Sequence, residues 1–246
     1  MVKNFVKELL ISEKNVTGIW NLIPSQHIVE IISSTGLDFQ IFDMEHGSFD
    51  VESVLRSIQS MGNYECSPIV RIPYIEQTLI QRLLDCGSHG ILAPQIRTKE
   101  HAEKLVSYCT YAPDGFRGFN PFTRSGNYVG ESDSIFNKKN FTLLIGIIEN
   151  NDALDNIDAI LDVSGIDVWY IGIYDLSCAL GLKGQLDHPK VLDVFDFCEN
   201  KIREHGKIPG KMVDDIFQEN ENSSNFLVLK PDTYQLISSI KSKIIH

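Results

Sequence analysis

Short apolar runs rich in β-branched and aromatic residues alternate along the chain with segments whose apolar residues recur at helical spacing. The runs predicted to be strands cover residues 16–20, 37–42, 68–72, 90–93, 143–148, 167–172, 207–213 and 226–229. The segments predicted to be helices cover residues 25–35, 50–61, 75–85, 98–108, 152–161, 188–205 and 231–245. This alternation is typical of a parallel sheet whose strands are joined by helices.

The eight predicted strands and the length of 246 residues fit one closed α/β barrel, which typically has about 250 residues. We therefore predict a single domain over residues 1–246 with a (β/α)8, or TIM-barrel, fold. The amphipathic residues 1–11 predict an N-terminal helix, and residues 111–140 predict a long ordered loop between strands 4 and 5. An open doubly wound sheet is the alternative, but no GxGxxG motif follows a strand.

The composition is ordinary for a soluble protein, apart from its acidic balance. Hydrophobic residues make up 43% of the chain and the formal net charge is -11. A chain without a basic face is not expected to bind nucleic acid, although a local cation or a metal can still bind an anionic substrate. The five cysteines form no CxxC pair, which favours reduced thiols in a cytoplasmic protein. Neither a signal peptide nor a membrane-spanning segment is predicted.

Charged residues stand where the predicted strands end, and a barrel builds its active site at this edge. Asp43 and His46 follow the second strand, and Arg71 closes the third. Glu149 follows the fifth strand, and Asp175 follows the sixth. Two carboxylates, a histidine and an arginine at one edge suggest a metal-assisted enzyme that acts on an anionic carbonyl compound.

Glu149 and Asp175 are the candidate metal ligands, because Mg²⁺ and Mn²⁺ prefer oxygen donors and commonly take one or two carboxylates. The alternative is that Glu149 and Asp175 each cap the helix that follows. His46 is the candidate general base, since imidazole titrates near neutral pH, and the acidic residues near it could orient it. A histidine in a turn can also be purely structural.

Arg71 is the candidate group for binding a carboxylate or a developing enolate oxygen. Its alternative role is a salt bridge to Asp43 or Glu45 at the rim of the barrel. Lys211 and Lys230, near the ends of the last two strands, could bind a carboxylate or phosphate or form a Schiff base. The alternative for both is a lysine at the rim with its charge in solvent. Trp20 is expected in the core or in the pocket wall.

Several motifs together resemble one family, the metal-dependent (class II) pyruvate aldolases of the 2,4-dihydroxyhept-2-ene-1,7-dioate and 2-dehydro-3-deoxyglucarate aldolase type. The matching motifs run in order over nearly the whole chain. They are Gly36-Leu37-Asp38 through Asp43-Met44-Glu45-His46, Val70-Arg71, Leu84-Asp85-Cys86-Gly87, the stretch from Tyr111 to Gly118, Ile148-Glu149, the stretch from Ile171 to Ser177, and the stretch from Gly206 to Gly210.

The resemblance implies a barrel of the phosphoenolpyruvate/pyruvate superfamily type that assembles as a homo-oligomer, either a trimer or a hexamer. The implied reaction is the reversible cleavage of a 4-hydroxy-2-oxo acid, such as a sugar-acid derivative, into pyruvate and an aldehyde through an enolate. A divalent metal held at Glu149 and Asp175 is implied as a Lewis acid, with Mg²⁺ or Mn²⁺ favoured and Co²⁺ as a third candidate.

The same resemblance implies roles for other residues. His46 belongs to an acid–base relay, helped by Asp85, which in this family can reach in from a neighbouring subunit. Arg71 steadies the enolate oxygen. Backbone N–H groups around Tyr174 and Asp175 bind the carboxylate of pyruvate.

The chain departs from the family pattern in its pocket walls. Ile147 replaces a usual glutamine, and Tyr174 places a large phenol beside the carboxylate site. Lys230 stands where a glycine is usual after the eighth strand, and Lys211 replaces an apolar residue. These changes predict an altered substrate choice. Arg124, in the long loop, is predicted to bind a polar aldehyde tail or to lie at a subunit interface.

Two other functions are open at this point. One is a related lyase or decarboxylase that acts on another oxo acid or on an acyl thioester. The other is a barrel that binds a metal without catalysing a reaction.

Overall fold

The structure is a computed structural model that describes residues 4–130, 141–214 and 226–244. Eight parallel strands form one closed barrel in chain order, and β1 pairs with both β2 and β8. The strands are β1 (Val16–Asn21), β2 (Phe39–Asp43), β3 (Ser67–Arg71), β4 (Gly90–Ala93), β5 (Leu143–Ile148), β6 (Val168–Ile171), β7 (Ile208–Val213) and β8 (Phe226–Leu229). The predicted barrel is confirmed, and the open sheet is wrong.

Helices connect the successive strands from β1 to β7, one further helix precedes β1, and another follows β8. They are α1 (Phe5–Ile11), α2 (Gln26–Ser33), α3 (Val51–Ser60), α4 (Gln77–Asp85), α5 (Lys99–Cys109), α6 (Asn151–Asp155), α7 (Ile157–Leu161), α8 (Ile173–Ala179), α9 (Pro189–Glu204) and α10 (Asp232–Ile244). Asp50 and Thr98 are N-caps, as predicted, because their side chains accept hydrogen bonds from backbone N–H groups three residues later. Among the described residues, no helix is long and apolar enough to cross a membrane.

The helix predicted over residues 152–161 is in fact two helices, which meet at Asn156. The Asn156 side-chain amide donates a hydrogen bond to the Arg97 carbonyl at 3.0 Å, and its backbone leaves the helical region. The helical spacing of apolar residues continues across this break. A contact with a distant loop therefore divides a segment whose local pattern is continuous.

The predicted N-terminal helix is α1, and it closes the amino-terminal end of the barrel. Val6 and Leu10 pack in the same core cluster as Val16, the first residue of β1. The Asn4 side chain donates to the carbonyl of His89, just before β4, at 2.8 Å. Because α1 covers the amino-terminal end, an open site can form at the carboxyl-terminal end of the strands.

In the connection between α5 and β5, residues 110–130 are irregular apart from a short 3₁₀ turn at Arg124–Gly126. The remainder of the predicted loop, residues 131–140, lies outside the described part of the chain. The backbone of residues 110–130 is tied to α4, because the Gly118 N–H donates to Gln81 Oε1 at 3.1 Å. Arg124 then lies against Gly87, where an added Cβ would be 3.3 Å from the arginine Cδ. The loop therefore follows α4 toward the amino-terminal end of the barrel.

Candidate active site

Ionisable residues meet at the carboxyl-terminal end of the strands. Asp43 and Arg71 are the last residues of β2 and β3, and they are partners in the register of that strand pair. Glu149 directly follows β5, and Asp175 lies in the first turn of α8, just beyond β6. The charges of Arg71 and Asp175 both influence the pKa of Glu149. The structure therefore brings these four predicted site residues together.

Arg71 is held on three sides. Its Nε donates to Asp43 Oδ1 at 2.8 Å, and a second guanidinium nitrogen pairs with Asp43 Oδ2. The third nitrogen lies 3.3 Å from Glu45 Oε2, and the guanidinium carbon lies 4.6 Å from the centre of the Trp20 ring. Both salt bridges weighed as an alternative role are therefore present, and they fix the orientation of Arg71 at the mouth of the barrel.

Asp43 organises the turn that carries His46. Burial alone would raise the pKa of Asp43, but hydrogen bonds and the charge of Arg71 together hold that pKa below its usual value. Asp43 Oδ1 also accepts hydrogen bonds from the backbone N–H groups of Glu45 and His46, at 2.9 and 3.1 Å. Asp43 thus contacts the backbone of His46, while the imidazole is exposed at the mouth.

Glu149 is a buried carboxylate, with 4% of its surface exposed. Its Oε1 accepts a hydrogen bond from the Gln95 backbone N–H at 2.6 Å. Burial raises the pKa of Glu149 to about 7, and the charges of Asp175 and Glu45 act in the same direction. The following helix is capped by the Asn150 side chain, so the alternative in which Glu149 is a helix cap is wrong.

Asp175 faces Glu149 from the start of α8. The N-cap of this helix is Gly172, so the alternative in which Asp175 caps the helix is wrong as well. A Cβ on Gly172 would lie 2.9 Å from Glu149 Cβ and 3.0 Å from its Oε2, so a larger residue here would displace the carboxylate. Tyr174 and Asp175 are both exposed at the mouth, which places the Tyr174 phenol at the rim.

Glu149 and Asp175 fit a hard divalent cation. A carboxylate whose pKa is raised by burial and by other carboxylates gains from a positive ion beside it. Over residues 4–130, 141–214 and 226–244 there is no group of three or more His, Cys, Asp or Glu that could hold a metal. Two carboxylates form an open site, in which water and substrate oxygens complete the coordination of an ion such as Mg²⁺.

Asp85 and Arg124 lie elsewhere in this chain. Asp85 ends α4 and precedes Gly90, the first residue of β4, by five residues, which places it toward the amino-terminal end of the barrel. Its Oδ1 is 3.2 Å from an Arg117 nitrogen. Arg124 lies against Gly87 at the same end of the barrel. One chain therefore does not bring either residue to His46. A role for Asp85 at the site of a neighbouring subunit stays a prediction.

Lys211 is not at the end of its strand. It lies within β7, after Gly210, whose added Cβ would meet the Tyr170 ring at 3.0 Å inside the barrel. Since side chains alternate along a strand, Lys211 points outward, away from the barrel interior. The prediction that Lys211 contributes to the site is therefore wrong.

Lys230 directly follows β8 and pairs with Asp214, which directly follows β7. Its ammonium lies 4.8 Å from the centre of the Tyr234 ring. This environment is at the carboxyl-terminal end of the barrel, as predicted.

Two residues that position the site were missed from the sequence. The backbone N–H of Gln95 donates to Glu149, and Gln95 adopts a positive φ of 53°. Glutamine is not a residue type that indicates a positive φ, so the sequence did not reveal this position. Tyr170 lies inside the barrel, edge-on to Trp20 with ring centres 5.6 Å apart, and burial raises its pKa. The alternation of inward residues in β6, which includes Val168 and Tyr170, could have identified Tyr170.

Comparisons with known proteins point to one family. The model of the HpcH/HpaI aldolase/citrate lyase family matches residues 17–242. A 5-keto-4-deoxy-D-glucarate aldolase from Shigella boydii is 32% identical over 84% of this chain and 80% of that protein. A hydroxypyruvate/pyruvate aldolase from Roseobacter denitrificans is 31% identical over 97% of this chain and 95% of that protein.

Among solved structures, an HpcH/HpaI aldolase from Desulfitobacterium hafniense has a TM-score of 0.89 and 28% identity, with 97% of this chain and 94% of that chain covered. Aldolases of this family generally depend on a divalent metal. The predicted aldolase enzyme is confirmed, and the chain belongs to the HpcH/HpaI aldolase/citrate lyase family.

Proposed function

We propose that this enzyme reversibly cleaves a 4-hydroxy-2-oxo acid of the sugar-acid type into pyruvate and an aldehyde. The observation that carries the proposal is the meeting of buried Glu149 with Asp175 and Arg71 at the barrel mouth that His46 also borders. Cleavage must remove the proton of the 4-hydroxyl and place negative charge on the 2-oxo oxygen. The names of the two aldolase relatives support the same class of reaction.

Glu149 and Asp175 would hold the metal, for which we propose Mg²⁺ or Mn²⁺, with Co²⁺ as a third candidate. When bound, the ion supplies Lewis acidity toward the carboxylate and 2-oxo oxygens of the keto acid. The chain prepares this site by burying Glu149 and fixing one of its oxygens on the Gln95 N–H. Gly172 leaves the space that the second oxygen of Glu149 requires.

His46 accepts the proton of the 4-hydroxyl in the cleavage direction and returns it in the addition direction. Its turn is folded around Asp43, so the exposed imidazole is presented at the mouth. Asp85 of a neighbouring subunit would assist this transfer.

Arg71 stabilises negative charge as it develops on the 2-oxo oxygen, because its guanidinium is fixed before the substrate arrives. Asp43, Glu45 and the Trp20 ring provide that fixed orientation. Backbone N–H groups of Tyr174 and Asp175, in the first turn of α8, would bind the carboxylate of pyruvate.

The proposal includes one catalytic domain and assembly as a homo-oligomer, either a trimer or a hexamer. A single family model over residues 17–242 supports one domain. Exposed apolar residues of α10 support a subunit interface, since a contiguous apolar face on a helix is typical of one. They are Leu236, Ile237, Ile240 and Ile244. The five cysteines form no disulfide, which supports a reducing, cytoplasmic location.

The proposed function predicts that the enzyme exchanges the α-protons of pyruvate with solvent when a divalent metal is present. Exchange requires the same charge stabilisation and proton removal as aldol addition. The measurement is the loss of the methyl signal of pyruvate in D₂O by NMR, with Mg²⁺ or Mn²⁺ and then with a chelator. Exchange that is absent with every metal would contradict the proposal.

A second prediction concerns His46. His46→Gln should lower the rate of aldol cleavage by about 100-fold or more, because general acid–base catalysis contributes at least this much. Its affinity for Mn²⁺ should not change, since Glu149 and Asp175 are kept. His101→Gln on α5 is the matched control, because only its backbone is used by the Thr98 cap. Unchanged cleavage in His46→Gln would remove His46 from the mechanism.

A further inference from the structure

Lys230 occupies an inward position in the uppermost layer of the barrel. Phe226 and Val228 of β8 belong to the interior cluster, and Val228 lies in register with Gly18 of β1. Two residues further along each strand, Lys230 is at the level of Trp20 and continues the inward alternation. The guanidinium of Arg71 lies over the Trp20 ring. Lys230 thus lies above the interior of the barrel, at the level of the candidate active site.

The ammonium of Lys230 has neighbours that face the mouth. It pairs with Asp214 and lies over the Tyr234 ring. Tyr174, from the start of α8, is near enough for its phenol to influence the pKa of Lys230. Tyr174 is adjacent in the chain to Asp175. Lys230 is therefore on the β7–β8 side of the site, close to one of the proposed metal ligands but separate from them.

The ammonium of Lys230 can change its present partner for a substrate anion. Its partner Asp214 has 74% of its side chain exposed, and an exposed ion pair contributes little free energy. Arg71 is already held by two carboxylates, and Arg97 contacts Asp152 and Gln95. A negatively charged group entering the mouth can thus replace Asp214 at Lys230 with little loss.

The rest of the mouth is acidic. Among the residues that the structure describes there, the carboxylates of Asp43, Glu45, Glu149 and Asp175 lie near the guanidinium of Arg71. A metal would compensate two of these charges and bind the keto acid. An additional carboxylate at the far end of the substrate would then need a cation of its own.

We propose that Lys230 determines substrate specificity by binding a carboxylate at the far end of the aldehyde portion of the substrate. This inference rests on the proposed function and defines the aldehyde product as an aldehyde acid. A single ammonium balances the single charge of a carboxylate, whereas a phosphate dianion would bring a second negative charge into a mouth that is already acidic. Arg124, the residue predicted for this role, lies at the other end of the barrel in the same chain.

The test compares two aldehydes that differ in charge and hardly in shape. Succinic semialdehyde and its uncharged amide are each added to pyruvate, and kcat/KM is measured for both. In Lys230→Met, the ratio of kcat/KM for the acid to that for the amide should fall about tenfold or more, as expected for loss of a hydrogen bond to a charged group. Lys230→Arg should restore most of that ratio, which also checks that the fold tolerates changes here.

Asp214→Asn is the matched control, because it breaks the same ion pair from the other side. If Lys230 binds substrate, Asp214→Asn frees the ammonium, and the acid-to-amide ratio should rise. If Lys230 only ties β7 to β8, both variants should lower activity on both aldehydes to the same extent. That result, or an unchanged ratio in Lys230→Met, would overturn the inference.

The exchange of pyruvate protons in the unmodified enzyme separates this inference from the proposed function. Metal-dependent exchange together with an unchanged ratio in Lys230→Met rejects the role of Lys230 and keeps the aldolase. Absence of exchange with every metal rejects the aldolase, and the role of Lys230 is rejected with it.

Discussion

Glu149→Gln is expected to abolish aldol turnover while making the metal-free protein more stable at pH 8. The substitution keeps the oxygen that accepts the Gln95 N–H but removes the charge. Loss of groups that merely support metal ligands lowers metal affinity by about 10- to 100-fold, so loss of a proposed ligand should cost more than about 100-fold. Mn²⁺ titration and turnover at saturating pyruvate measure the two losses.

The stability effect follows from the raised pKa of Glu149. The folded protein holds this proton up to a pKa of about 7, whereas the unfolded chain releases it near 4.5. The folded state therefore binds more protons between these pH values, and stability falls as pH rises through that range. At pH 8 the buried charge costs on the order of 3 kcal/mol, which Glu149→Gln removes. Near pH 4 the stability advantage of Glu149→Gln should disappear.

Urea unfolding with a chelator, at pH 5 and pH 8, tests this difference. Asp152→Asn is the matched control, because it also removes one carboxylate beyond β5 but from an exposed ion pair. With Mn²⁺ added, the order at pH 8 should reverse, since the metal stabilises only the protein that binds it. Equal Mn²⁺ affinity in Glu149→Gln and the unmodified protein would refute the assignment of the ligand.

Local patterns were enough to predict most of the fold. Asp50 and Thr98 cap their helices through contacts only three residues away, so residue type and spacing contain the whole signal. The positions of Asp43, Arg71 and Glu149 at the ends of strands were predictable for a related reason. In a parallel barrel every strand ends at the same rim, and it follows that residues far apart in sequence meet there.

Features that depend on distant contacts could not be predicted. Lys211 faces outward because Gly210 packs on Tyr170, and the inward face of β7 is set by its pairing with β6. Arg124 lies at the amino-terminal end because the loop follows α4 to Gly87, a path that its irregular composition does not encode. The hydrogen bond that orients Glu149 comes from the backbone N–H of Gln95, so no side chain in the sequence indicates this contact.

Arg71→Met is expected to destabilise the protein and to abolish turnover, for two separable reasons. It leaves the buried carboxylate of Asp43 without its partner, and breaking a buried pair costs roughly 3–5 kcal/mol. In the unmodified protein the lowered pKa of Asp43 contributes stability above pH 3.8, and this is lost as pH falls through the lowered value. The destabilisation by Arg71→Met should therefore be largest near pH 7 and smaller near pH 4. Urea unfolding at both pH values measures it.

The double variant Asp43→Asn with Arg71→Met distinguishes the structural role of Arg71 from its catalytic role. Asparagine keeps an oxygen for the N–H groups of Glu45 and His46, so the turn is preserved without a buried charge. Stability should recover in the double variant, whereas turnover should stay at least about 100-fold low, as when a preorganised donor for developing charge is removed. Turnover that recovers along with stability would mean that Arg71 acts only as the partner of Asp43. Turnover that stays low in a stable protein would support the role of Arg71 in stabilising negative charge on the substrate.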